Sequence, residues 1–285
     1  MSSVPSRVRG DGRAVCRLRN GHHARLWLPP VLLGGAAIAL ALSGQNTALF
    51  LALNGGPMSA PAFWSVLSIL GHGSVLFAVW IWLLALQPRL IAALLLLVPI
   101  AGLVIRVSKW LAESPRPAAV LSPEQIEIVG QVLRAYSLPS GHAITVFGLA
   151  AVLVVGAPRS RAWQAIAWTS VLLACLVSLS RIAVGAHWPL DVLVGGALGW
   201  LCGVLAVDCA GRVRLWRKVW VRRTMALIVL VAAALLYRTP LGYPLAEPAK
   251  FLFATFGLLV ASWIARSPRA AARQVRGWLN RPATA

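Results

Sequence analysis

Apolar residues fall in eight long runs, at roughly 26–44, 64–87, 89–107, 142–157, 162–179, 189–207, 224–237 and 250–265. A helix needs about 20 residues to cross the hydrocarbon core of a bilayer, with a range of roughly 17–25. Several of the runs meet that length. Hydrophobic residues make up 59% of the chain and charged residues 12%, against roughly 25% charged in a soluble domain. The runs therefore read as membrane spans rather than as one large core. The expectation is an all-α, polytopic membrane helix bundle. Eight spans fit best, with seven or nine as alternatives, because the 224–237 run is weak unless Leu241 to Leu245 extend it.

The 27 Lys and Arg against 7 Asp and Glu give a formal charge of +20. Such an excess is also seen in nucleic-acid binders, but here the basic residues stand in short blocks between apolar runs. Topology explains them, and no nucleic-acid partner is expected. One set of alternating loops receives the Arg-rich residues 1–25, Arg89, Arg159, Arg161, the 208–223 loop and the 266–285 tail. The other receives Arg106, Lys109, Arg116, Arg134, Arg181, Arg238 and Lys250. Because basic loops stay on the cytoplasmic side, both termini are expected in the cytoplasm. The expected organisation is a basic tail (1–25), a transmembrane core (26–207), a basic loop (208–223), two further spans (224–265) and a basic tail (266–285). The first run also fits, loosely, the apolar core of a secretory signal or an Arg-rich transit segment. A retained span suits the topology better.

The seven acids, Asp11, Glu113, Glu124, Glu127, Asp191, Asp208 and Glu247, form no cluster in the sequence. A two-metal phosphatase site needs several carboxylates, since hard cations take oxygen ligands. Cys16, Cys175, Cys202 and Cys209 contain no CxxC pair, so neither a zinc site nor a disulfide framework is indicated. No metal and no other cofactor is called for.

Three polar clusters interrupt this apolar background, and on the expected topology all three fall on the non-cytoplasmic side. Ionisable groups near membrane depth are costly and point to function. Lys109 and Arg116-Pro117 follow the third run; they either grip a phosphate or snorkel to the interface. Pro139-Ser140-Gly141-His142 opens the fourth; Ser140 is a good N-cap, and free N–H groups at a helix start attract anions, or the motif is an ordinary cap with an interfacial His. In Ser180-Arg181…His187…Asp191, the His and Asp are four apart. On a helix that spacing puts them on one face, where a carboxylate holds one ring nitrogen and leaves the other free as a nucleophile or base. The same pair also fits a plain tie between two spans.

Lys109-x6-Arg116-Pro117, Pro139-Ser140-Gly141-His142 and Ser180-Arg181-x5-His187-x3-Asp191, complete and in order, resemble the three-part signature of the type 2 phosphatidic acid phosphatase (PAP2) superfamily. With the flanking spans the resemblance covers roughly 45–207. It implies a six-helix PAP2-like core, with two C-terminal spans lying outside it. It implies that His187 attacks phosphorus to form a phosphohistidine, that Asp191 orients it and that His142 protonates the leaving group. Lys109, Arg116, Ser140, Gly141 and Arg181 would hold the phosphate oxygens, and no metal would be needed.

The function this implies is a lipid phosphatase in a bacterial inner membrane, with its site on the periplasmic face. The substrate would be a lipid phosphate or pyrophosphate entering from the bilayer, with undecaprenyl pyrophosphate first, then phosphatidylglycerol phosphate and phosphatidic acid. A lipid phosphotransferase, handing the phosphoryl group to another lipid, stays open. So does a non-enzymatic transporter or scaffold with structural charges. The 118–137 stretch is long enough for a lid or a partner surface. His72 stands near the same face, as an entrance residue or a structural one. Trp27, Trp64, Trp110, Trp163, Trp188, Trp200 and Trp263 lie near span ends, as interfacial anchors do.

Overall fold

The computed structural model describes residues 23–54 and 60–266. The two basic tails, with Cys16 and His22, lie almost wholly outside the described residues. Among those described, every regular element is helical: α1 (His23–Ser43), α2 (Asn46–Asn54), α3 (Pro61–Leu70), α4 (Gly73–Trp80), α5 (Leu83–Leu86), α6 (Pro88–Ala112), α7 (Pro117–Val120), α8 (Gly141–Gly156), α9 (Arg161–Ala183), α10 (Pro189–Val213), α11 (Val219–Leu235) and α12 (Glu247–Arg266). Five of the helical stretches are long and apolar enough to cross a membrane, or six if the bent pair α3–α4 is one span. Over the described residues the chain is an all-α bundle with several candidate membrane spans. Helices α8 and α11, on two of the expected spans, are shorter, at 16 and 17 residues.

Two features differ from the sequence reading. The 64–87 run is not one straight helix, because α3 and α4 meet at 79°. His72 has extended backbone at the break (φ −79°, ψ 133°), and Gly71 packs directly beneath the His142 ring. A Cβ on Gly71 would lie 2.7 Å from His142 and 2.9 Å from Val177. The break thus lets this segment approach the site more closely than a continuous helix would. The second difference is α2. Gly44 takes a left-handed backbone (φ +68°), which ends α1 as such glycines do and starts a new short helix.

The centre of the bundle is the α8–α10 pair. Gly195, Gly199 and Gly203 recur every fourth residue and so share one face of α10. A Cβ on Gly199 would overlap the Ile144 backbone, and one on Gly203 the Gly148 backbone. Small residues at this spacing let two membrane helices approach until their backbones touch. Leu94, Leu97, Ile144, Leu153 and Ala206 fill the space between α6, α8 and α10. Helix α1 is tied to α10 by Trp200, which is 2% exposed and donates from Nε1 to the Leu26 carbonyl at 3.2 Å. Helices α11 and α12 pack against each other and against α4 through Val75, Ala78, Ala233, Leu236 and Ala254.

The two ends of this bundle carry different chemistry. The end of α10 and the turn into α11 hold Arg212, Arg217, Lys218 and Arg222, with Arg89 from the start of α6 against Gly211. The three polar clusters occupy the opposite end.

Candidate active site

Each cluster sits where a helix begins or ends, so its side chains converge beyond the helix termini. Lys109 is in the last turn of α6, at the rim, where its ammonium donates to the Tyr136 carbonyl. Arg116 follows in extended backbone as the N-cap of α7 and is 8% exposed. Its Nε donates to the Ala135 carbonyl at 2.9 Å, and one Nη donates to the Ala186 carbonyl at 2.8 Å. The same Nη lies 3.3 Å from Nε2 of His187.

His187 is not helical. It lies in the turn between α9 and α10, immediately before the α10 N-cap Trp188. The turn is tight: the backbone N–H groups of Ala186 and His187 both donate to the Arg181 carbonyl, at 3.0 and 3.1 Å. Gly185 makes it possible with φ +74°, and a Cβ there would sit 2.6 Å from the Glu127 carbonyl oxygen. Asp191 is on α10 proper. The i,i+4 pair is thus loop to helix rather than two positions on one helical face. Its ends nevertheless meet, with Nδ1 of His187 3.3 Å from Oδ2 of Asp191. That oxygen also accepts from the Trp188 backbone N–H at 2.9 Å and from the Ser137 hydroxyl.

A carboxylate only accepts, so Nδ1 is the protonated ring nitrogen and Nε2 keeps its lone pair. The lone pair points at Arg116. His187 is 2% exposed. Burial, followed by the nearby charges of Arg116, Arg181 and Lys109, holds its pKa well below the ordinary 6.5. The imidazole is therefore neutral at pH 7, as a nitrogen nucleophile must be.

Ser140 is fully buried and caps α8. Its hydroxyl accepts from the Ala143 N–H at 3.5 Å, and its own N–H donates to the Asp191 carbonyl at 3.0 Å. Gly141 is the first residue of α8, and a Cβ there would meet only Ile105 at 3.6 Å. Protein packing does not require a glycine at that place. His142 follows, its ring 6.5 Å from that of His72. Arg181 is 3% exposed and donates to the Tyr243 hydroxyl. Its Nε is buried and has no hydrogen-bond partner among the described residues.

The structure thus gathers Arg116, Ser140, His187 and Asp191 in direct contact, with Arg181 behind the same turn, Gly141 and His142 at the adjoining helix start and Lys109 at the edge. Sequence reasoning missed several supporting residues. Ser137 ends the 118–137 loop, which carries no periodic pattern. Asn54 is 1% exposed, donates to the Glu127 and Ala183 carbonyls at 2.8 and 2.9 Å, and accepts from the Glu127 N–H at 2.8 Å. It fastens that loop to the end of α9. Trp163, Trp188 and Trp200 are buried in the bundle rather than exposed on its surface; the Trp188 indole donates to the Pro115 carbonyl at 2.9 Å. Trp27 and Trp110 are exposed, as anchors in lipid would be.

The model of the PAP2 superfamily matches residues 90–215. An undecaprenyl-diphosphatase of Sulfolobus acidocaldarius is 37% identical over 102 residues, which is 36% of this chain and 46% of that protein. A lipid A 1-phosphatase of Porphyromonas gingivalis is 38% identical over 71 residues, 25% of this chain and 16% of that protein. The chain thus matches less than half the length of either. The crystal structure of Aquifex aeolicus LpxE superposes with a TM-score of 0.50 at 29% identity, covering 57% of this chain and 94% of the other. The matched stretch contains all three clusters, and over it the chain is similar to the PAP2 superfamily.

Proposed function

We propose that the protein is an integral membrane lipid phosphatase, removing a terminal phosphate from a lipid phosphate or pyrophosphate through a phosphohistidine at His187, without a metal. The observation that carries this reading is the position of His187, with Asp191 on one ring nitrogen and the Arg116 guanidinium beside the other. The nucleophilic lone pair sits where a cation would hold the phosphate.

The step runs as follows. Nε2 of His187 attacks phosphorus, the N–P bond forms, and the P–O bond to the lipid breaks. The departing oxygen takes a proton from His142, whose charged form the bound phosphate anion stabilises. A water then attacks the phosphohistidine and gives a proton to His142, the N–P bond breaks, and inorganic phosphate leaves. Lys109, Arg116, Ser140, Gly141 and Arg181 hold the phosphate oxygens. Fixed donors of this kind stabilise developing charge without reorganising. Two further observations support an anion here. The buried Nε of Arg181 lacks a partner among the described residues, which is unusual for a donor, and the α8 start offers N–H groups beside a glycine that packing does not demand.

Undecaprenyl pyrophosphate is the first candidate substrate, in keeping with the name of the Sulfolobus relative. Residues 26–207 form the phosphatase core and 224–265 an added helix pair. The site faces the periplasm and both termini the cytoplasm of a bacterial inner membrane, because the basic end of the bundle lies opposite the site. The test is phosphate release from a panel of lipid phosphates by detergent-solubilised protein with EDTA present. Release from a lipid pyrophosphate that EDTA leaves intact is expected, and loss of turnover with EDTA contradicts the metal-independent step.

A further inference from the structure

Tyr243 belongs to none of the three clusters and lies outside the matched residues 90–215. It stands in the connection between α11 and α12. Nevertheless it is 8% exposed and reaches the candidate site. Its hydroxyl accepts from an Nη of Arg181, and Cζ of Arg181 lies 5.5 Å from its ring centroid. One residue of the added helix pair therefore holds the arginine in two ways.

Tyr243 is itself firmly placed. Its ring packs in a cluster with Ile69, Val184, Ala186 and Ala246. The neighbouring Gly242 carbonyl accepts from the Gln131 N–H at 2.9 Å, which fastens the connection to the 118–137 loop. At Gly130 (φ +90°) a Cβ would lie 2.8 Å from the Tyr243 ring, so the loop closes onto the ring through a glycine.

A phenol suits this place chemically. Arginine offers five N–H donors in a planar fork. Taking up one of them fixes the plane. A neutral acceptor does so without cancelling the charge, whereas a carboxylate in the same place would neutralise the cation needed for phosphate. The Nε, buried and without a partner among the described residues, is the donor such an arrangement keeps for an anion.

We propose that Tyr243 is a positioning residue for Arg181, so that the C-terminal helix pair completes the phosphate-binding site. This rests on the reading of the site given above. Tyr243→Phe keeps the ring and removes only the hydroxyl. In the full-length protein in detergent, kcat/KM for a lipid pyrophosphate is expected to fall about tenfold, and inhibition by orthovanadate to weaken in parallel, as for one hydrogen bond to a charged group. The same change made in an Arg181→Lys background is expected to cost little more, since coupled residues are not additive. Equal activity of Tyr243→Phe and wild type, or an equal loss in both backgrounds, overturns the proposal. If Tyr243→Phe does not fold, Tyr243→Gln and Tyr243→Leu pose the same question: Gln, an acceptor, should bind vanadate more tightly than Leu, and equal binding overturns the proposal. His187→Ala run alongside separates the two levels. Normal turnover by that variant defeats the site reading itself, whereas an inactive His187→Ala beside a fully active Tyr243→Phe defeats only the role of Tyr243.

Discussion

The guanidinium of Arg116 lies 3.3 Å from Nε2 of His187 while also donating to the carbonyls of Ala135 and Ala186. One planar group joins the loop before α8, the turn before α10 and the ring that the proposed mechanism uses. A lysine ammonium is a single point donor and does not span that fork. Arg116→Lys should therefore fold, yet lose roughly 100-fold or more in kcat/KM, the scale seen when one donor to a transition-state charge is removed. Steady-state kinetics beside a melting curve checks both halves.

Burial and the surrounding cations hold the pKa of His187 well below 6.5. The ring stays neutral as pH falls through the ordinary range, so the acid limb of kcat/KM that reports its protonation should lie below 6.5. The sign for stability follows from linkage. Unfolded His187 takes up a proton below pH 6.5 and the folded form does not, so stability should drop as pH falls from 6.5 toward the folded value. Selective labelling of the histidine ring and NMR titration in detergent measures the pKa directly; a value at or above 6.5 would contradict the account.

Ser137 donates to the same Asp191 oxygen that faces His187. Ser137→Ala leaves that oxygen with one donor fewer, a loss of roughly 1.5–3 kcal/mol for a bond to a charged group. The expected result is a fall in kcat of about tenfold with KM little changed, because the ring is less well held while phosphate binding stays intact.

Gly199 lets α10 rest on the backbone of Ile144. Gly199→Ala forces rigid backbone apart, so it should destabilise the bundle by about 1–3 kcal/mol, as overpacking does. Thermal unfolding in detergent should show the drop. Gly34→Ala, where a Cβ meets nothing within 4 Å, should not.

The spans and the site were legible to different degrees for physical reasons. Hydrocarbon solvent demands long apolar runs, and those runs are visible in the letters alone. Lys109, Arg116, Ser140, His187 and Asp191 stood out because polar residues are costly in that background. The break at Gly71-His72 was hidden because the run stays apolar on both sides of it, and only the contact with His142 explains it. The Gly195, Gly199 and Gly203 face encodes helix approach, yet its partner, α8, is known only from the fold. Ser137, Asn54 and Tyr243 belong to irregular segments, where position follows from tertiary contacts and no periodicity marks it.

The central claim is a covalent bond between phosphorus and one nitrogen. Rapid quenching of the protein with a lipid pyrophosphate labelled at the terminal phosphate, with EDTA present, tests it most directly. The account predicts acid-labile, base-stable label on the peptide that carries His187, and none in His187→Ala. Full turnover by His187→Ala, or label on a different residue, would contradict it.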